Sequence, residues 1–447
     1  MTRRACLVIP RDLLQAILSS SERAGWFSGL ELNSEKLFIV LGCKLGGVDA
    51  SSINRRLLPH RATDRLQGEY KEQLVQWAVV EPGFYSTYSR GTILSGDSFS
   101  NLVSINFPEG RLLFCAVEPG EDNPMVTAVD ARWLGEKRIS FRPCDHIVMT
   151  DDPTPFARLP KKVVQELNQK SAMIVGLGSG GSEIALNLAC CGIGNLELID
   201  PDRVRPENYV RFPTGKLELG RYKVDVVASL ISERELPTAV NAHRLDILRE
   251  ADEFRNLVTK QVDVIVCATD SVASRRLANW TAVAVNVPCV IAGTLDQGRI
   301  GEVLKMIPHR SPCYECARLE LGAAFELASS DERSATPYVE MENEHLDGGA
   351  LRPDISVPAV IATRAVFEIL DPTNFPEGPA AYIVWGREAD KSYASPFQFE
   401  LPLSTNHVRL SKRKDCPVCG ALPSELVGVD VAGEATEILA EAGRASS

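Results

Sequence analysis

Residues 171–200, SAMIVGLGSGGSEIALNLACCGIGNLELID, decide the fold of the larger part of the chain. Ala172–Gly176 is a short apolar run of strand length. Glycines come next at 176, 178, 180 and 181, and Ser182–Cys191 then reads as a helix. Leu196–Ile199 is a second strand-length run, closed by Asp200. Glycine permits a tight turn there, and the helix N-terminus offers a phosphate free N–H groups and partial positive charge. Asp200 stands nineteen residues after Gly181, where a carboxylate at a strand end can bind ribose hydroxyls.

The alternation continues downstream. Gly220–Leu236 reads as a helix, Val262–Cys267 as a strand, Ser274–Ala284 as a helix and Val287–Ile291 as a strand. This is the pattern of an α/β, Rossmann-like, doubly wound and mostly parallel sheet. Ser356–Leu370 reads as an amphipathic helix and Ala380–Trp385 as a strand. Between them and the earlier strands lies 318–353, acidic and without a clear period, expected to be a long exposed crossover loop with some helix.

Upstream, residues 1–150 read as a smaller α/β domain, with a helix at Arg11–Ser19 and strand-like runs at Lys36–Leu41, Gln76–Val80 and Leu112–Val117. The proline- and aspartate-bearing stretch TDDPTPFARLP places a linker at 151–160, before a domain expected over 161–420. The tail, 421–447, is acidic and alanine-rich, and is expected to be partly disordered.

The chain has 447 residues, enough for two or three domains. Its 45% hydrophobic and 24% charged composition is that of a globular protein. A net charge of -11 argues against a general nucleic-acid binder. No apolar run is long enough to span a membrane, and Pro10, Arg11 and Asp12 interrupt any signal-peptide core. A cytoplasmic location is the default expectation, and in that reducing setting the twelve cysteines are not expected to form disulfides.

The glycine loop alone would favour a nicotinamide or flavin dehydrogenase. The residues after Asp200 change that. The chain continues Asp200-Pro-Asp202, then Asn208-Tyr-Val-Arg211, then Gly220-Arg-Tyr-Lys223, and a later strand ends at Asp270. Attack of a carboxylate on the α-phosphate of ATP builds negative charge there and on the departing pyrophosphate. Lysine, arginine and a metal-binding aspartate are the groups that offset it.

A glycine-rich loop succeeded in order by D-x-D, N-x-x-R, G-x-x-K and a strand ending in aspartate resembles the ThiF/MoeB/HesA-type adenylyltransferases, the core of ubiquitin-activating enzymes. The resemblance covers roughly residues 155–420. It implies that Gly176, Gly178, Gly180 and Gly181 approach the nucleotide phosphates and that Asp200, with Asp202 nearby, holds the ribose side. It implies that Asn208, Arg211 and Lys223 contact the phosphates, with Arg211, Lys223 and Asp270 catalytic and Asp270 binding magnesium. It further implies a homodimer in which an arginine from before the first strand reaches across, Arg158 being the candidate.

Two C-x-x-C pairs, Cys313/Cys316 and Cys416/Cys419, lie about a hundred residues apart. Four thiolates can close one tetrahedral structural zinc site, and the resemblance implies that these four do. Many members of the family also carry a cysteine in the crossover loop that takes the activated protein as a thioester. Here no cysteine lies between Cys316 and Cys416. The enzyme is therefore expected to stop at the acyl-adenylate, leaving a partner thiol or amine to accept the acyl group; a cysteine of the N-terminal domain is the alternative.

In the N-terminal domain, Glu22 before Gly25-Trp-Phe-Ser-Gly29, then Ser86, Tyr88 and Asp97, are similar to the JAB/MPN isopeptidase pattern. That pattern has histidines where Ser86 and Tyr88 stand, so the resemblance implies a domain without metal or peptidase activity that binds or orients a partner. Together the two resemblances imply adenylation of the C-terminal glycine carboxylate of a ubiquitin-like protein. The setting implied is a bacterial ubiquitin-like conjugation system with a conjugating enzyme, of the kind found in antiphage operons. Activation of a sulfur-carrier protein, and a nucleotide-binding scaffold without turnover, stay open as alternatives, with dinucleotide redox chemistry behind them.

Overall fold

The computed structural model describes residues 6–32, 37–45, 48–49, 70–81, 93–95, 111–119, 125–133, 138–149, 155–322, 324–325, 350–378 and 380–420. The chain divides into two compact units, Met1–Thr154 and Pro155–Ser447. The second unit thus begins inside the proline-bearing stretch 151–160, where Phe156 packs beside Gly192 and its carbonyl accepts the Leu159 N–H at 2.8 Å.

The first unit is built on a ten-stranded mixed sheet. Its strands are β1 (Cys6–Pro10), β2 (Ala24–Leu32), β3 (Leu37–Leu45), β4 (Val48–Asp49), β5 (Tyr70–Val79), β6 (Ile93–Ser95), β7 (Arg111–Glu118), β8 (Met125–Trp133), β9 (Arg138–Pro143) and β10 (Asp145–Met149). They lie in the order β10-β1-β3-β2-β5-β7-β8-β9-β6, with β4 on β3. Helix α1 (Arg11–Ser19) buries Leu13, Leu14 and Ile17, one stripe at helical spacing, in a core with Ile9, Phe27 and Trp77. Glu22 lies in the turn between α1 and β2, while Ser86, Tyr88 and Asp97 lie outside the described residues.

The second unit carries an eight-stranded sheet in the order β13-β12-β11-β14-β15-β16-β17-β18. These are β11 (Ser171–Val175), β12 (Asn195–Ile199), β13 (Ala239–His243), β14 (Val264–Cys267), β15 (Cys289–Leu295), β16 (Ile300–Met306), β17 (Tyr382–Gly386) and β18 (Ser404–Val408). Strands β13 to β15 in this order are parallel, and β15 to β18 are antiparallel. Side chains alternate across the sheet as the two-residue period of a strand requires. Met173 and Val175 enter one core with Ile265 and Cys267, whereas Ala172 and Ile174 enter the other with Leu196 and Leu198. Helices placed among the described residues are α2 (Lys161–Leu167), α3 (Ser179–Cys190), α4 (Lys223–Ser232), α5 (Ala251–Gln261), α6 (Val272–Ala284), α7 (Tyr314–Leu321) and α8 (Arg352–Leu370). Buried residues of α3, α4 and α8 fill one core, those of α5 and α6 the other. The doubly wound α/β class expected from 171–200 is the observed one.

The chain crosses from β12 and β13 on one side of β11 to β14 and β15 on the other. At such a switch point the carboxyl ends of the strands leave a crevice in which ligands bind. Three strands escape a reading of apolar runs: β13, β16 and β18, the last of which reads Ser404-Thr-Asn-His-Val408. In β16 all seven residues are buried, but Glu302 and Lys305 interrupt the run; each is paired inside, with Arg275 and Glu368. In β13, at the sheet edge, most side chains are exposed, so little apolar signal exists.

Candidate active site

The crevice holds a cavity of about 510 Å³. Gly176, Gly178, Gly180, Asp200, Asp202, Asn208, Arg211, Lys223 and Asp270 all line it. Its floor is the glycine turn between β11 and α3. Gly176 has φ +85°, a left-handed conformation costly for any residue with a side chain. A Cβ on Gly178 would meet nothing within 4 Å, so the loop presents bare backbone to open space. Gly181 differs: it is buried, it does not line the cavity, and a Cβ there would stand 1.8 Å from the Gly176 carbonyl oxygen. Its glycine is required by the close passage of α3 over the turn, the packing role of the last glycine in such fingerprints.

Asp200 ties the glycine turn to the segment after β12. Its Oδ2 accepts the Leu177 N–H at 2.6 Å and its Oδ1 the Asp202 N–H at 2.8 Å. Asp200 is 5% exposed, and burial raises its pKa, opposed chiefly by the charge of Lys223. Lys223 is brought there by a short ladder. Val204 N–H donates to the Arg221 carbonyl, Gly220 N–H to the Val204 carbonyl and Lys223 N–H to the Asp202 carbonyl, at 2.8, 3.0 and 2.9 Å. That pairing is why α4 begins at Lys223 rather than at Gly220 as its apolar pattern suggests. The Lys223 Nζ lies 2.8 Å from Asp202 Oδ2. Burial by itself would lower the Lys223 pKa, but Asp200, Asp202 and Asp270 together raise it, so the ammonium stays charged. Tyr222 is held between two guanidinium groups, Arg203 at 3.7 Å and Arg244 at 4.5 Å from its ring centre, which stiffens the approach to Lys223.

Asn208 Oδ1 accepts the Arg205 N–H at 2.9 Å, closing the one-turn helix Pro206–Asn208 that carries the chain to half-buried Arg211. Asp270 is exposed at the end of the turn leaving β14. A hard carboxylate oxygen is the donor type magnesium takes, so Asp270 fits the ion. Arg158 lies exposed in the turn before α2 and does not line the cavity of its own chain. Sequence reading missed Arg275, which lines the cavity from α6. Its position five residues after Asp270, one turn into a helix, is the only signal it gives.

The two C-x-x-C pairs meet in the same unit, apart from the cavity lining. The Sγ atoms of Cys313, Cys316, Cys416 and Cys419 all lie within 4.8 Å of one another and all four residues are buried. Cys313–Cys316, Cys313–Cys416 and Cys316–Cys419 are separated by 3.9, 3.6 and 3.3 Å. Four sulfurs about 2.3 Å from a tetrahedral zinc stand about 3.8 Å apart, so the cluster fits zinc with no position left open. The Arg413 N–H points at Cys316 Sγ from 3.5 Å, as an outer-shell donor to a thiolate would.

Parts of the chain are similar to known proteins. The chain is 28% identical to the adenylyltransferase and sulfurtransferase uba4 of Aspergillus niger over 274 residues, 59% of this chain and 50% of that protein. It is 31% identical over 164 residues to the NEDD8-activating enzyme E1 catalytic subunit of Schizosaccharomyces pombe, 35% of this chain and 36% of that one. It is 26% identical over 166 residues to SUMO-activating enzyme subunit 2 of Dictyostelium discoideum, 37% of this chain and 24% of that one. The chain thus spans between a quarter and a half of the length of these relatives. Among solved structures, E. coli MccB with ATP is similar over 58% of this chain and 69% of that chain, at 19% identity and a TM-score of 0.44. The ThiF family profile matches residues 152–416, more than half of the sequence, and the chain belongs to the ThiF family.

Proposed function

We propose that this chain uses ATP to adenylate the C-terminal carboxylate of a ubiquitin-like protein. The observation that carries the reading is the convergence of Lys223, Arg211, Asp200 and Asp270 on one cavity beside the open backbone of Gly178. A dinucleotide redox site needs no such set of cations and carboxylates around its phosphates.

The carboxylate oxygen attacks the α-phosphorus, a P–O bond forms, and the bond from that phosphorus to the bridging oxygen breaks as pyrophosphate leaves. A terminal carboxyl is already ionised at neutral pH, so no general base is needed. The chain's share is positioning and charge. The glycine turn brings backbone and the α3 N-terminus to the phosphates. Lys223 and Arg211 offset the charge that builds as the α-phosphate becomes five-coordinate. Asp200 fixes the glycine turn and faces the ribose side. Asp270 would hold magnesium, which when bound offsets charge on the phosphate oxygens.

Absence of a cysteine between Cys316 and Cys416 favours an enzyme that hands its acyl-adenylate to an acceptor elsewhere, a conjugating enzyme in a ubiquitin-like pathway. The same absence suits a second reading, activation of a sulfur-carrier protein, and relatives named adenylyltransferase and sulfurtransferase support it. A homodimer in which Arg158 serves the neighbouring cavity, and partner binding by the first unit, belong to the same reading. Labelled ubiquitin-like protein and ATP are expected to release pyrophosphate without forming a thioester on this chain. An adduct cleaved by reducing agent would overturn that part.

A further inference from the structure

We propose that Arg275 is a positioning residue that sets the Asp270 carboxylate from the cavity wall. This rests on the reading of Asp270 as a metal ligand beside bound nucleotide.

After β14 the chain turns through Ala268, Thr269 and Asp270, and Ser271 caps α6 by accepting the Ser274 N–H at 3.3 Å. Arg275 curls back under this turn. Its Nε donates to the Thr269 carbonyl at 2.9 Å, the peptide oxygen adjoining Asp270. Its Nη1 lies 2.7 Å from Glu302 Oε1 on β16. Glu302 Oε2 in turn accepts the Tyr382 hydroxyl of β17 at 2.7 Å. Arg275 is 3% exposed and Glu302 2%. Room for the guanidinium exists because β15 carries Gly293, where a Cβ would stand 2.0 Å from Arg275 Nη2.

The arrangement is costly as a source of stability, since a well-packed apolar pair would fill the same space at lower desolvation cost. What an apolar pair cannot supply is a directional tie from two antiparallel strands to the peptide before Asp270. A planar guanidinium presents its Nε and Nη1 donors to the two acceptors at a fixed spacing, whereas an ammonium offers all its donors from one nitrogen. Helix α6 is also fixed through other residues. Asn279 Oδ1 accepts the Tyr314 N–H at 2.9 Å, and Arg276 Nε lies 2.9 Å from Glu315 Oε1. With the helix so held, the reach of Arg275 determines where the turn sits.

The test is Mn2+ binding to the full chain in the presence of α,β-methylene ATP, read by electron paramagnetic resonance, beside nucleotide binding in EDTA and thermal melting. Wild type, Asp270→Asn, Arg275→Lys and the double variant Arg275→Met with Glu302→Met are compared. The double variant leaves no lone buried charge, so it is expected to fold. Its Mn2+ affinity should weaken about tenfold more than its EDTA-state nucleotide affinity does, the scale of one lost charge-assisted hydrogen bond. Arg275→Lys should weaken Mn2+ in the same direction and carries the comparison if the double variant does not fold. Mn2+ affinity within about twofold of wild type in both Arg275 variants, with Asp270→Asn impaired, would overturn the positioning role and leave the cavity reading intact. Wild type that binds no nucleotide, or Asp270→Asn that binds Mn2+ as wild type does, would overturn both.

Discussion

The cavity and the four-cysteine cluster are built in opposite ways. In the cavity, Asp202 and Asp270 are exposed, Gly178 faces open space, and the segments that carry the charged groups are held largely through backbone hydrogen bonds. In the cluster, each Sγ faces another Sγ and no cysteine is more than 6% exposed. An open set of charges leaves positions for a ligand, whereas a closed set of thiolates leaves none. Removal of a cavity group should therefore cost activity with little stability, and removal of a cluster group the reverse.

The largest effect is expected at the cluster. Structural zinc contributes on the order of 10 kcal/mol to the folding of isolated zinc peptides, so chelation or Cys316→Ser should collapse the cooperative melting of the second unit. Elemental analysis should find about one zinc per chain. A chain without zinc that melts normally would break the comparison. Next comes Asp270→Ala, expected to lower pyrophosphate exchange by about a hundredfold or more, roughly 3 kcal/mol of transition-state stabilisation, with melting nearly unchanged.

Within the glycine turn the same contrast recurs at a smaller scale. Gly181→Ala forces a Cβ against the Gly176 carbonyl and should cost about 2 kcal/mol of stability, while Gly178→Ala should spare stability and weaken nucleotide binding. Equal losses of stability in the two variants would show that the turn does not separate packing from ligand contact.

The smallest expected effect is a pH dependence. Burial raises the pKa of Asp200 and Lys223 opposes it, so the folded state favours the protonated carboxyl. That contribution is fully present below the unfolded carboxyl pKa, about 3.9, and is lost as pH rises through the higher folded value. Lys223→Met removes the opposing cation, so its melting temperature should fall further below wild type as the pH climbs from about 5 to about 8. Asp200→Asn in the same background should flatten the difference.

Most of the cavity was legible because its parts are local. A strand, a glycine turn and a helix succeed one another within 171–190, and Asp200 follows a strand that an apolar run marks, whereas Lys223 and Asp270 were legible from the spacing of their motifs. The cluster was legible from cysteine spacing plus a resemblance, because nothing between residues 316 and 416 signals that the pairs meet. Strand β16 was hidden because its Glu302 and Lys305 look like surface residues until their partners Arg275 and Glu368 are known. Gly181 looked like its neighbours, and only the path of α3 separates it from them. Arg275 was hidden for the same reason as β16: a buried charge is defined by contacts distant in sequence.

The central claim is that the cavity activates a carboxylate with ATP. Its most direct test is exchange of labelled pyrophosphate into ATP by the full chain, with candidate ubiquitin-like proteins as carboxylate donors. Exchange is expected that needs the donor's free C-terminal carboxylate and is lost in Asp270→Ala. Tight ATP binding without exchange for any such donor would contradict the claim and leave a nucleotide-binding scaffold.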